Sequence, residues 1–302
     1  MADSQRLGHE PAPIRTRRTE GLVTRRLLLL TALVLAAACQ SDGQIDGEVA
    51  ASLTIPGGTQ QTWCAGRGPG VVLINGIGDQ ASSRQWLGVR SELAQDARVC
   101  RYDRPGTGES APPTREGRGP EALALELGAV VDHTTDGEVV LVAHSFGGYL
   151  ARLYAERYPQ RIRGIVFVEA LDPSFGLLRG AGVDEFGAVA MADEQLDLPA
   201  LEAAVAAVTE LPDDLEISVL VRGRDVTQAW TEAQRRIAAL SSRSKLDVVE
   251  DAGHQIPTDA PHAVADAVRG LIDDGAASEG PGTGNTGSRV GQPLWADGRV
   301  QG

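Results

Sequence analysis

Positive charge is scarce in this 302-residue chain. Lys and Arg total 28 against 41 Asp and Glu, a formal net charge of −13. That balance argues against nucleic acid or an anionic lipid surface as a partner. Cysteine is scarcer still, with three residues, and the five histidines are scattered. Neither type has the spacing that would hold a metal ion. There is no G-x-G-x-x-G run and no Walker lysine, so no nucleotide cofactor is expected, and nothing else calls for one. Nor does the N-terminal apolar run, Leu27 to Ala38, reach the ~20 residues that a permanent membrane span requires.

That short run does have the form of an export signal. It follows Arg15, Arg17, Arg18, Arg25 and Arg26, and it suits a signal-peptide apolar region. Thr24 to Leu29 resembles a twin-arginine signal, and Leu35-Ala36-Ala37-Ala38-Cys39 resembles a bacterial lipobox. Cys39 would then become the acylated first residue of an exported, envelope-anchored protein, and the lipid would be its sole hold on a membrane. Plain cleavage after the alanines, with secretion, is the alternative. Residues 1–39 are thus assigned to the signal and residues 40–51, polar and Gly/Asp-bearing, to a tether. Residues 52–274 suit one α/β domain, and 275–302, rich in Gly, Ser and Asp, read as a disordered tail.

The domain is organised around Val139 to Leu150, VVLVAHSFGGYL. Its apolar half reads as a buried parallel strand, and Tyr149 to Tyr158 has helical apolar spacing, so Ser145 falls on a strand-to-helix turn. A turn that tight needs small residues on either side of its centre, and Ala143, Gly147 and Gly148 supply them. It lifts the Ser145 hydroxyl out of the sheet. The backbone N–H of Phe146 and the helix N-terminus then face the same point. His144 is adjacent, but adjacency turns its side chain away from the hydroxyl, so it reads as packing at the turn.

This is the G-x-S-x-G nucleophile elbow with alanine in first position, and the chain here resembles the α/β-hydrolase family. Three further stretches carry the resemblance. The apolar strand Val71 to Ile74 ends in Asn75-Gly76-Ile77-Gly78, where the family has His-Gly-x; the match makes the Ile77 N–H a second oxyanion donor. Asp103-Arg104-Pro105-Gly106-Thr107-Gly108-Glu109-Ser110 is similar to the family's loop after the fourth strand. Asp251-Ala252-Gly253-His254 directly follows the last strand, as the family's general base does. The fold implied is a mostly parallel eight-stranded sheet flanked by helices, with a small helical lid at about 173–212. Phe175, Leu177, Leu178, Phe186 and Met191 are candidates there for an acyl pocket or for lid packing. In the family's sheet order the second strand lies beside the fourth, which makes Cys64 and Cys100 neighbours, and export would keep them oxidised. A bridge closing that loop would contribute roughly 3 to 4 kcal/mol in chain-entropy terms. Two buried thiols are the alternative.

The order serine, acid, histidine is the order this family uses. Asp225, after the seventh strand, stands where the family most often carries its acid. Glu169, closing the sixth, stands where some relatives carry theirs, and a carboxylate ending an apolar strand needs a partner. Both stay open, with Asp172 third. The resemblance implies hydrolysis of a small-molecule ester through Ser145, His254 and one of these acids. Lactone, amide or peptide hydrolysis and cofactor-free perhydrolysis are the alternatives within the fold, and an inactive surface-anchored binding protein is the alternative outside catalysis. A serine nucleophile excludes the aspartate chemistry of dehalogenases and epoxide hydrolases. The sequence leaves the oligomeric state undetermined.

Overall fold

The computed structural model describes residues 47–81, 84–175 and 193–278, with side chains up to 273. The expected signal and lipobox with Cys39, the expected lid positions Leu177, Leu178, Phe186 and Met191, and most of the expected tail lie outside the described residues. No helix among the described residues is long and apolar enough to cross a membrane.

Eight strands form one sheet in the order β1-β2-β4-β3-β5-β6-β7-β8. They are β1 (Val49–Ile55), β2 (Gly58–Ala65), β3 (Gly70–Ile74), β4 (Arg98–Tyr102), β5 (Val139–His144), β6 (Ile162–Val168), β7 (Glu216–Arg222) and β8 (Ser244–Val249). The pairs β1/β2 and β2/β4 are antiparallel, and every other pair is parallel. All of β3 and β5 is buried, which is why each reads as an unbroken apolar run.

Alternation along those central strands feeds two cores. Val72, Ile74, Leu141 and Ala143 pack on one face with helices α2 (Pro120–Thr134), α3 (Gly147–Arg157), α4 (Leu198–Ala207) and α5 (Gln228–Ala238). Val71, Leu73, Val140 and Val142 pack on the other with α1 (Leu87–Leu93), the short α6 (Ile256–Asp259) and α7 (Pro261–Ser278). Burial of both faces fixes the strand register, because a one-residue slip would exchange the two sets.

Two boundaries differ from the sequence reading. Strand β1 begins at Val49, inside the expected tether, because pairing with β2 continues to Val49 opposite Cys64. Just before it, Glu48 is buried in a salt bridge with Arg90 and another with Arg101, at 3.1 and 2.6 Å. At the other end α7 runs to Ser278, past the expected limit at 274. Cys64 and Cys100 stand directly opposite in the β2/β4 register and form a disulfide.

Candidate active site

The carboxyl ends of β3, β5, β6 and β8 bring the candidate residues to one end of the sheet, where open α/β sheets place their ligands. Strand β5 stops at His144, and Ser145 takes φ = +52°, a left-handed conformation that costs a non-glycine residue about 1 to 3 kcal/mol. Tertiary contacts hold it there. The Ser145 N–H donates to Val168 O at 3.1 Å, and its carbonyl accepts from Gly148 N at 3.0 Å and Leu171 N at 2.9 Å. The flanking glycines are required by space: a Cβ on Gly147 would lie 2.7 Å from Ile74 O, and one on Gly148 2.7 Å from Ala170 Cβ. Ser145 itself is half-buried.

The loop after β3 passes against this turn, since a Cβ on Gly76 would lie 3.4 Å from Ser145 Cβ. Buried Arg104 shapes it. Its guanidinium donates to Asn75 O at 2.9 Å and Gly76 O at 2.7 Å, and it pairs with both oxygens of buried Glu194 at 2.7 and 2.8 Å. Glu194 also accepts the Gly78 N–H at 3.1 Å. Burial works against the charge on Arg104, but the Glu194 carboxylate more than restores it and leaves the guanidinium more basic than usual. A trans peptide points its N–H opposite its carbonyl, so holding Gly76 O on Arg104 turns the Ile77 N–H away from it. In the same way, the two donors on Ser145 O turn the Phe146 N–H outward. Among the described residues neither N–H donates a hydrogen bond to the protein. Asn75, which replaces the family's histidine, is structural: Nδ2 donates to Tyr102 O at 3.1 Å and Oδ1 accepts from Trp86 Nε1 at 2.6 Å.

His254 follows β8, with Nδ1 3.1 Å from Glu169 Oε2. Glu169 is fully buried at the end of β6 with φ = +49°. Its Oε1 accepts from Trp230 Nε1 and from the Arg222 N–H, both at 2.9 Å, and Arg222 Nη1 lies 3.0 Å from Oε2. Asp225, by contrast, is exposed on the turn after β7, and the ring nitrogen it would have to hold belongs to Glu169. Asp172 is committed to Arg152 and Arg236.

The backbone of the histidine loop is pinned as well. Asp259 Oδ2 accepts the Gly253 N–H and an Arg224 N–H, both at 2.7 Å, and His144 Nε2 lies 2.9 Å from His254 O. His144 therefore does more than pack. Gln85 Nε2 lies 2.7 Å from its Nδ1, so the amide donates there and leaves the Nε2–H for the His254 carbonyl. Burial, with the neighbouring His254 charge adding to it, pushes His144 down to about 3 and keeps the ring neutral. Sequence reasoning missed this role, as it missed Trp230, Arg222, and Arg104 with Glu194. The Thr227 side chain accepts the Trp230 N–H and starts α5, a capping signal the sequence does contain. The Phe175 ring meets Trp230 edge-on at 4.9 Å. No group of three or more His, Cys, Asp or Glu side chains among the described residues could hold a metal ion.

A family profile described as alpha/beta hydrolase fold matches residues 69–200. The 2-hydroxy-6-oxo-2,4-heptadienoate hydrolase of Pseudomonas putida is 34% identical over 116 residues, covering 38% of this chain and 42% of that protein. The chain spans less than half the length of the curated relatives it matches. An esterase of Thermogutta terrifontis superposes with a TM-score of 0.55 at 24% identity, over 75% of this chain and 99% of that one. A meta-cleavage product hydrolase variant gives 0.60 at 18%, over 75% and 98%. The chain has the α/β-hydrolase fold, with an open, mostly parallel eight-stranded sheet.

Proposed function

We propose that the protein is a serine hydrolase that cleaves a carboxylic ester through an acyl-enzyme. The observation that carries this reading is the buried Glu169 carboxylate on His254 Nδ1, at the same end of the sheet as a serine in a left-handed turn. Ser145 Oγ attacks the ester carbonyl while His254 Nε2 takes its proton, and Glu169 holds the imidazolium by its Nδ1–H. The oxyanion rests on the N–H groups of Ile77 and Phe146. Collapse breaks the ester C–O bond, and His254 returns the proton to the departing alkoxide. Water then attacks the acyl carbon with His254 again as base, releasing the acid and restoring Ser145.

Carbon–carbon hydrolysis is the second reading, favoured by the name of the Pseudomonas putida relative. The charges here support a neutral ester instead. A dienoate substrate carries a carboxylate, whereas the group beside the oxyanion loop is Asp79, whose Oδ2 would lie 2.6 Å from a Cβ on Gly76. Among the described residues the cations nearby, Arg104 and Arg222, are committed to Glu194 and Glu169. The protein is further proposed to work outside the cytoplasmic membrane, anchored through Cys39, a reading supported by the lipobox-like run and the Cys64–Cys100 disulfide.

Fluorophosphonate labelling of the purified protein, with the adduct placed by mass spectrometry, tests the mechanism. Label on Ser145 alone, lost in Ser145→Ala, is expected. A folded protein that takes no label would move the weight to a binding function, and turnover of a dienoate but of no ester would favour carbon–carbon cleavage.

A further inference from the structure

Arg222 stands at the end of β7, where this family most often places its catalytic acid, yet here that strand end supplies a cation. The guanidinium reaches across to the end of β6. Nη1 lies 3.0 Å from Glu169 Oε2, the oxygen that also faces His254 Nδ1 at 3.1 Å, and the Arg222 backbone N–H donates to Oε1 at 2.9 Å. Its far side lies over the Trp230 ring, 5.2 Å from the centroid, while Trp230 Nε1 donates to the same carboxylate. Glu169 is 0% exposed and the Arg222 side chain 20%. A carboxylate so far from water stays ionised only with a compensating charge, and a neutral imidazole supplies none. A cation on the shared oxygen also opposes a second positive charge on the imidazole.

We propose that Arg222 is a positioning residue for the catalytic acid: it supplies the counter-charge of Glu169 in its buried site, holds the carboxylate against His254 Nδ1, and sets a positive charge beside the imidazole. The proposal rests on the serine-hydrolase reading given above. The other charged or titratable groups around the pair are few. The His144 ring lies tilted at 48° to the His254 ring with centroids 4.8 Å apart, Asp79 acts on His254 through space, and the Arg224–Asp259 pair holds Gly253. None of these touches Glu169, so removing the Arg222 charge alters one contact of the acid and leaves the rest of the loop in place.

The sign of the effect follows. Without the cation, the Glu169–His254 pair holds its proton to higher pH, so the acid limb of the reaction moves up. The experiment is the pH dependence of Ser145 labelling by a fluorophosphonate, together with an NMR titration of the His254 ring, in wild type, Arg222→Gln, Arg222→Met and Arg222→Lys. Two neutral replacements are used so that the loss of one fold leaves the test intact. Either neutral variant should shift the limb upward by about one pH unit, a roughly tenfold slower labelling on the acid side with little change at alkaline pH. The lysine variant, which keeps the charge, should shift it less than half as far. A limb that stays in place or moves down in the neutral variants, or moves equally in the lysine variant, would overturn the proposal. Wild type that takes no label would instead sink the hydrolase reading, and the His254 titration would still report on Arg222, because the ion pair does not depend on the nucleophile.

Discussion

The ends of β6 and β7 look alike locally and behave differently. Each carries an acid in a left-handed turn, Glu169 at φ = +49° and Asp225 at φ = +53°. Glu169 directly follows the last residue of its strand. There it is buried under α5 and faces His254, Trp230 and Arg222. Asp225 lies three residues beyond its strand, on an exposed loop held by the Arg224 contacts with Ala252 and Asp259. The same residue chemistry and nearly the same backbone angle thus give a buried partner for the imidazole in one place and a solvated turn in the other. Depth decides between them. A carboxylate in water gains little by binding a histidine, whereas a buried one orients the ring and stabilises its charged form.

That contrast can be broken or sharpened by substitution. Glu169→Gln should lower kcat by about 10³- to 10⁴-fold, as loss of a triad acid does, and leave Arg222 without its carboxylate. Arg104→Met should release the Asn75 and Gly76 carbonyls, let the Ile77 N–H turn, and cost about 10²-fold in kcat with a smaller change in KM. Trp230→Phe keeps the ring and removes one hydrogen bond to Glu169; steady-state kinetics should show a loss of about tenfold. Asp225→Asn should stay within about twofold of wild type. A large effect at Asp225 with a small one at Glu169 would reverse the assignment of the two strand ends.

Stability offers a further probe. His144 titrates at about 3 when folded, below the ordinary histidine value of 6.5, so the unfolded chain binds more protons between those values. Its contribution is complete above about pH 6.5 and is lost as pH falls toward about 3. Urea midpoints should therefore drop over that window, and by less in His144→Gln, which cannot take up a proton there.

The sequence made the proposed nucleophile, oxyanion loop and base stand out because each is a short window in which backbone and chemical demands coincide. Ser145 needs Gly147 and Gly148 for space, Ile77 follows Gly76, and His254 follows Gly253 at the end of a strand. The choice between Glu169 and Asp225 stayed open in the sequence, because what separates them is tertiary: an indole from α5 and a guanidinium from the neighbouring strand. The Arg104–Glu194 pair was hidden for the same reason, joining the loop after β4 to a segment 90 residues further along the chain. The domain start was misplaced because Glu48 reads as a solvated tether residue, although Arg90 and Arg101 make its burial tolerable. His144 was underestimated because a histidine beside Ser145 reads as filler until the loop carrying His254 is folded over it.

The central claim is that Glu169 at the end of β6 is the partner through which His254 activates Ser145. The most direct measurement is the rate of fluorophosphonate labelling of Ser145 at neutral pH in Glu169→Gln and Asp225→Asn, each confirmed as folded by its circular dichroism. The glutamine variant should label at least about 10³-fold more slowly than wild type, while the asparagine variant labels at close to the wild-type rate. Equal rates in the two variants, or a slower rate in the asparagine variant, would contradict it.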